Sequence, residues 1–279
     1  MDIRISNKAE KMRLSFIPFI LITAACSLTD GVSRSRTDHA AVPLSSCEGS
    51  SSGQCAFVNS PVRLGSEPIH LFARKFPFYK TIDSLEFVDA GRQQWVAPSS
   101  TLTDGASIPP VFVKIIGDPK SREFINAATV HDAYCGIGNE DGEYYHAAIW
   151  QNVHRMFYDA LRVGGTPAVK AKIMFAAVYL GGPRWSGVTK NKIRAGKSGT
   201  TGVAGARGRV ANQSLLAIGI PPQVLRTEMR KAKAYIEANN PSIATLESYL
   251  ISSEASMADA QSVAEGDDDT PEGSYSGLY

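Results

Sequence analysis

Short apolar runs, separated by turn-forming residues, occupy the stretch before residue 100. The runs cover 56–58, 69–72, 76–82, 85–88 and 94–96. Proline, glycine and Asp-Ser pairs stand between them, which is typical of strands joined by turns. This pattern predicts a small antiparallel sheet.

Helical spacing replaces the strand pattern after residue 120. A first helix starts near Ser121 and stops at Gly136, and a second is predicted from about Tyr145 to Arg162. The second helix carries an apolar stripe at helical spacing, formed by Trp150, Val153, Phe157, Ala160 and Leu161. A third helix, apolar nearly all round, follows Pro167 and ends at Gly181.

Weaker patterns follow the third helix. A charged helix is predicted from Pro222 to about Asn239, and a short helix is predicted at 243–251. We expect both to be peripheral and the residues from Gly187 onward to be dispensable for folding. The predicted fold class is α+β, a small antiparallel sheet packed on about three helices with a peripheral C-terminal helical extension.

The start of the chain is typical of an export signal. Basic residues precede an apolar run at 14–25, which is too short to span a bilayer. Small residues then lead to Cys26. The segment resembles a bacterial lipoprotein signal, which implies that Cys26 is lipidated and that the protein lies in the cell envelope. An ordinary cleaved signal is the alternative, and Met1 or Met12 is the start residue.

These patterns divide the chain into six expected segments. They are a signal peptide at 1–25, a flexible tether at 26–54, an α+β core domain at 55–186, a basic linker at 187–210, peripheral helices at 211–257 and a disordered acidic tail at 258–279.

Export permits disulfides. Cys47 and Cys55 flank a flexible stretch that can close as a short loop. Cys135 is then the odd cysteine, and we expect it to be a small buried side chain in the first helix rather than a nucleophile.

Titratable side chains on these helices form the candidate site. His131 and Asp132 are adjacent near the end of the first helix, and His154 lies on the apolar stripe of the second. Neighbouring residues on a helix point about 100° apart, so Asp104, arriving on a turn, is the better candidate to orient His131. Either these four residues form a catalytic or metal site in an open cleft, or they form a buried, inert polar network. The open cleft is the favoured prediction, because the pair sits at a helix end beside a glycine loop.

Residues 70–185 resemble domain-of-unknown-function family 1353 of bacteria and phages. The resemblance is carried by Thr103–Pro109 (TDGASIP), by His131-Asp132 and by the closing helix from Ile173 to Trp185. The family usually has tyrosine at the place of Cys135 and aspartate at the place of His154. The resemblance implies no established activity.

A second likeness concerns the chemistry alone. Secreted phospholipases A2 also carry His-Asp on a helix, and the likeness implies a base role for His131 and a divalent cation such as calcium at Asp132. His154 stands where those enzymes place the carboxylate that orients the histidine. A neutral imidazole stabilises an imidazolium less than a carboxylate does.

Charge adds one expectation about partners. No acidic residue lies between Asp159 and Glu228. The basic segment at 187–210 is therefore expected to be able to contact an anionic surface. No nucleic-acid-binding motif is present. Two function classes stay open: a hydrolase of ester or lipid bonds that uses His131, and a non-catalytic envelope or phage-related module that binds a partner.

Lipidation at Cys26 gives the first prediction. Labelled fatty acid is expected to enter the wild-type chain and not Cys26→Ser, because the acyl chain is carried by that thiol. Equal labelling of the two proteins would contradict the lipoprotein assignment.

Overall fold

A computed structural model describes residues 47, 54–71, 74, 76–105, 109–112, 114, 122–186, 188 and 214–266. The side chains of 110, 122, 123 and 260–266 are not described. Several predictions therefore lie outside the described residues. They concern the predicted signal peptide, Cys26, most of the predicted tether, the predicted basic linker apart from Val188 and the last part of the predicted acidic tail. Within the described ranges, no helix combines the length and the apolar character needed to cross a membrane.

Two small antiparallel sheets are found among the described residues. Strands β1 (Ala56–Val58), β3 (Leu85–Val88) and β4 (Gln94–Ala97) pair in the order β1-β3-β4, and β2 (Tyr79–Lys80) pairs with β5 (Leu102–Thr103). The predicted strands at 69–72 and 76–82 are shorter than expected, and Ile69 and Phe78 meet only as an isolated bridge. The antiparallel sheet prediction is confirmed.

The β3–β4 turn is held by one buried carboxylate. Oδ1 of Asp89 accepts hydrogen bonds from the backbone amides of Gly91 (2.8 Å) and Gln93 (3.0 Å). Oδ2 of Asp89 accepts a hydrogen bond from the indole Nε1 of Trp95 at 2.8 Å. The turn thereby carries the Trp95 side chain into the core.

Five α-helices are found among the described residues. They are α1 (Arg122–Cys135), α2 (Trp150–Val163), α3 (Ala168–Gly181), α4 (Pro222–Asn239) and α5 (Ile243–Gly266), and a short 3-10 helix covers Pro110–Phe112. Helix α1 packs between the strands and α2, and its alanines at 127 and 128 are buried, which permits the close approach. Helix α3 is buried continuously from Ala171 to Leu180, as expected of a helix that is apolar all round.

Helix α2 begins later than predicted, at Trp150 instead of about Tyr145. The amide of His146 donates to the carbonyl oxygen of Tyr134 at 2.9 Å, which folds the segment back onto the end of α1. The φ of His146 is +55°, in the left-handed region, and a right-handed helix cannot pass through it.

The C-terminal helices pack against α3 and share its core. Buried apolar side chains from both helices join one hydrophobic cluster with α2 and α3; they are Leu225, Met229, Ala232, Ile236, Ile243, Leu246, Leu250 and Met257. Polar contacts flank this packing: Arg155 pairs with Glu247 at 2.9 Å, and Lys172 donates to Asn240 at 2.8 Å. This packing does not support the expectation that the residues from Gly187 onward are dispensable, because their loss would expose an apolar face of α3.

A disulfide joins Cys47 to Cys55, the residue that precedes β1. The backbone amide of Cys47 donates to the carboxylate of Asp159, on α2, at 3.2 Å. The disulfide therefore closes the loop that the sequence suggested, and both cysteines pack against the core.

Neighbouring residues of α5 give the second prediction. Leu250 is 0% exposed and Ile251 is 58% exposed. Leu250→Ala is expected to lower the free energy of unfolding by ~2–5 kcal/mol, because it leaves a cavity in the core. The matched Ile251→Ala is expected to change it by less than ~0.5 kcal/mol. Chemical denaturation of the full chain checks both, and equal, small effects would show that α5 does not belong to the core.

Candidate functional site

Three parts of the fold meet at a pair of histidine rings. Helix α1 contributes His131, α2 contributes His154, and the segment after α3 contributes the carbonyl group of Pro183. Nε2 of His131 lies 3.0 Å from Nδ1 of His154, and Nε2 of His154 lies 3.2 Å from the oxygen of Pro183. His131 is 2% exposed and His154 is fully buried. The open cleft that we favoured is therefore wrong for this end of α1.

The partners fix which ring nitrogens carry protons. The carbonyl oxygen of Pro183 can only accept, so Nε2 of His154 is the protonated nitrogen and its Nδ1 holds the lone pair. That lone pair accepts a hydrogen bond from the N–H at Nε2 of His131. His154 is then neutral, and the two rings form a directed chain of hydrogen bonds from α1 through α2 to Pro183.

Burial keeps both rings uncharged. It lowers the pKa of His131 from 6.5 to about 3. Burial is also the largest cause that lowers the pKa of His154 well below its usual value, followed by His131 and Arg184, while the hydrogen bond to Pro183 opposes the shift. Neither ring takes up a proton near neutral pH, and such uptake is what a general base requires.

Cys135 completes the contacts of His131. Its Sγ lies 3.4 Å from Nε2 and 3.7 Å from Nδ1 of His131, and it donates to the carbonyl oxygen of His131 at 3.5 Å. Burial first, and Asp132 second, raise the pKa of the Cys135 thiol well above its ordinary value. The thiol therefore stays protonated, so Cys135 behaves as the small buried side chain that the sequence suggested.

Aromatic side chains enclose the two rings. The centroid of His131 lies 4.8 Å from that of Phe157, and the centroid of His154 lies 5.5 Å from that of Trp150. Gly182 permits this packing, since a Cβ there would stand 2.3 Å from the oxygen of Val178 and 3.2 Å from Cε1 of His154. A larger residue at 182 would push into the backbone of α3.

The two aspartates of the candidate site occupy other surroundings. Asp132 is buried on α1, and its backbone carbonyl accepts from the amide of Gly136 at 2.7 Å. Asp104 is half-buried in the turn after β5. We expected Asp104 to orient His131, but the group bonded to Nε2 of His131 is Nδ1 of His154.

The loop after α1 is fastened by an asparagine that the sequence analysis missed. The side chain of Asn139 accepts from the amide of Leu102 and donates to the carbonyl oxygens of Leu102 (2.9 Å) and Asp132 (3.1 Å). Asn139 thereby joins strand β5 to the end of α1. Asn139 follows the predicted end of the first helix at Gly136, and nothing in the sequence there distinguishes a buried side chain that bonds two elements from an exposed turn residue.

Two parts of the TDGASIP segment are described, 103–105 and 109, and each makes contacts that the structure shows. Oγ1 of Thr103 accepts from the amide of Gly105 at 3.1 Å, and Gly105 has φ +87°, which favours glycine. Further on, a Cβ at Gly181 would stand 2.6 Å from the ring of Phe112 and 3.1 Å from Pro109. These contacts give the segment a packing role. Ser107 lies outside the described residues.

A third buried histidine was also missed. The ring of His146 stacks between Tyr145 and Trp185, with both centroid separations at 4.1 Å. Burial lowers its pKa to about 4, although Glu140 acts in the opposite direction. Nε1 of Trp185 donates to the carbonyl oxygen of Ala148 at 2.8 Å. Trp185 thus ties the loop before α2 to the segment after α3.

Metal binding was left open by the sequence. Across the described part of the chain, no group of three or more histidine, cysteine, aspartate or glutamate side chains has an arrangement that would hold a metal ion. A calcium role for Asp132 therefore has no supporting ligand set among these residues.

Comparisons with known proteins concern the middle of the chain. Residues 80–178 match the family described as "Protein of unknown function (DUF1353)". The uncharacterized protein y4iH of Sinorhizobium fredii is 40% identical over 113 residues, which cover 40% of this chain and 44% of that protein. The uncharacterized protein y4jT of the same organism is 34% identical over 114 residues, covering 41% of this chain and 32% of that protein.

These matches relate part of the chain to a domain family and to two uncharacterized proteins. The chain spans less than half the length of these curated relatives. No solved structure matches. The family match and the two relatives together support the assignment of residues 80–178 to the DUF1353 domain family.

Proposed function

We propose that the chain is an exported envelope protein, attached to the membrane through a lipid on Cys26, whose folded domain is a non-catalytic binding or structural module. The proposal that the chain is exported and lipid-anchored rests on the apolar run at 14–25 and on the small residues before Cys26. The non-catalytic half rests on one observation, the closed and neutral His131–His154 pair.

A hydrolase would need a different arrangement at His131. A general base must accept a proton near the working pH and must reach a water molecule or a substrate. His131 is buried, its pKa is lowered to about 3, and its Nε2 is taken by His154. In the chemistry of phospholipases A2 the partner is a carboxylate, whose charge stabilises the protonated ring; His154 brings no such charge.

The pair also has a positive role in this proposal. Each buried polar atom needs a partner, and an orphaned one costs ~1–3 kcal/mol. The two rings and the carbonyl group of Pro183 satisfy one another across α1, α2 and the end of α3. We infer that the pair fixes the relative position of these three elements and so supports a surface elsewhere on the domain.

The third prediction compares two single-histidine variants of the full chain. His131→Ala orphans Nδ1 of His154 and is expected to lower the free energy of unfolding by ~1–3 kcal/mol. His70→Ala is the matched control: His70 is exposed, and its loss is expected to cost less than ~0.5 kcal/mol. Chemical denaturation measures both changes.

Hydrolysis assays on the same proteins address the competing hypothesis. Hydrolysis of p-nitrophenyl esters and of phospholipid vesicles is expected to be the same in wild type and in His131→Ala. A ~10²-fold loss of hydrolysis in His131→Ala, with stability equal to that of His70→Ala, would overturn the proposal and establish His131 as a base.

A further inference from the structure

An open groove lies on the sheet side of the domain, on residues separate from the histidine pair. Its volume is about 810 Å³, within the ~300–1,000 Å³ range typical of small-ligand sites. Polar side chains supply most of the lining, namely Asn59, Ser60, Arg63, Asp83, Ser84 and Ser99. None of these residues took part in the candidate site predicted from the sequence.

One asparagine on α1 fixes the first wall of the groove. Nδ2 of Asn126 donates to Oγ of Ser60 at 2.9 Å, and Oδ1 of Asn126 accepts from the amide of Val62 at 2.9 Å. Both ends of a single side-chain amide thus hold the segment from 60 to 62. The wall is attached to the helix that carries His131, so the rigidity of the core extends to the groove.

The second wall, at 82–84, is bonded to the first, and the third wall, at Ser99, is bonded to the second through its neighbours. The amide of Ile82 donates to the carbonyl oxygen of Arg63 at 2.9 Å. Thr81 links the next loop, because its Oγ1 donates to the carbonyl oxygen of Pro98 and its own carbonyl accepts from the amide of Ser100, both at 2.8 Å. A groove whose walls are fixed before binding loses little conformational entropy when a ligand arrives.

Two non-glycine residues at the groove have left-handed backbones. Asn59, in the lining, has φ +62°, and Ser100, next to the lining residue Ser99, has φ +70°. Such conformations are uncommon for a serine, whereas asparagine adopts them more readily. Strained residues cluster where the backbone shape serves binding. Their presence on two walls of one groove points to a shaped site.

The charges of the lining compensate each other. Arg63 forms an ion pair with Asp83, so the groove presents one cation and one anion in contact. An anionic ligand would have to compete with Asp83 for the guanidinium group. The lining therefore favours an uncharged ligand.

The lining of the groove contains both hydrogen-bond donors and hydrogen-bond acceptors. Serine hydroxyl groups and the asparagine amide each donate and accept, Arg63 donates, and Asp83 accepts. A sugar hydroxyl group also donates and accepts at the same atom, so a saccharide can satisfy such a lining at many points. An extended peptide needs apolar pockets for alternate side chains, and the apolar lining here is limited to Pro61 and Ile82.

We propose that this groove binds an uncharged saccharide chain, with the Arg63–Asp83 pair and the lining serines as the hydrogen-bonding groups. The proposal rests on the binding-module function above and names its ligand class and its surface. An envelope location would place saccharide polymers within reach of the tethered domain.

Titration of the full chain with tetrasaccharides tests this proposal. The probes are maltotetraose, cellotetraose and chitotetraose, and saturation-transfer NMR followed by calorimetry measures binding. Saturable binding of at least one probe with a Kd of ~1 mM or tighter is expected. Asp83→Ala removes the carboxylate acceptor, and Ser84→Leu fills the groove; each is expected to weaken binding at least tenfold. Ser248→Leu, an equal change at an exposed position on α5, is expected to have no effect.

Several outcomes would overturn the proposal. They are the absence of binding by all three probes, binding that both groove variants leave unchanged, and binding only of a heparin tetrasaccharide or of an extended valine- and threonine-rich octapeptide. Thermal melting of each variant verifies its fold. Asp83 is exposed, so Asp83→Ala is expected to fold and to test the groove even if Ser84→Leu does not fold. Mass spectrometry of the probe distinguishes a failure of this proposal from a failure of the proposed function. A saccharide that is bound and cleaved contradicts the non-catalytic function. Failure to bind contradicts the groove assignment alone.

Discussion

The requirement that buried polar atoms be paired governs the centre of this fold. Two imidazole rings lie inside an aromatic and aliphatic core, where an unpaired ring nitrogen would be costly. The structure meets this requirement with a directed chain from His131 to His154 to the carbonyl group of Pro183. Because each member lies on a different element, the chain fixes how α1, α2 and the end of α3 meet. A shift of any one of them would orphan at least one ring nitrogen.

Glycines and aromatic residues around the pair follow from this arrangement. Gly182 permits the turn after α3 to pass beside His154, and Gly181 permits Phe112 to close on the same helix end. Arg184 then lies over the rings of Trp150 (4.4 Å) and Tyr179 (5.3 Å) and reaches Glu254 on α5 at 2.5 Å. The C-terminal helices are thus connected through Arg184 to the segment that receives the histidine chain. The sheet, in contrast, is coupled to the core through Asn126 and Asn139, and it carries the polar groove.

Much of the fold was predictable because the periodic signals were strong. The stripe on α2 placed His154 on the same face as Trp150 and Phe157, which is where the structure has it. Helix α5 runs far beyond its predicted end, although a stripe at 243, 246, 250, 253 and 257 was present in the sequence. The serines at 248, 252 and 256 weakened the helical pattern in the sequence, since serine favours turns. In the helix their hydroxyl groups bond to the carbonyl four residues earlier.

The site was harder to predict than the fold. Sequence spacing relates residues on one helix, but it cannot show that rings on two helices lie 3.0 Å apart. The left-handed His146 and the clamp at Asn139 depend on tertiary contacts that leave no local pattern. The groove likewise joins segments that begin at Asn59 and end at Ser99, and its residue types are those of ordinary exposed turns.

The central claim is that the histidine pair is neutral and internally bonded. Nitrogen-15 NMR of the histidine rings in the full chain tests it most directly, because the shifts report which ring nitrogen carries the proton. Between pH 7.5 and pH 5.0 we expect His131 and His154 to remain neutral with protonated Nε2, since burial lowers both pKa values below this range. His70, which is exposed, provides a reference spectrum from a ring outside the core. Protonation of His131 within this range, or a proton on its Nδ1 instead of Nε2, would contradict the account.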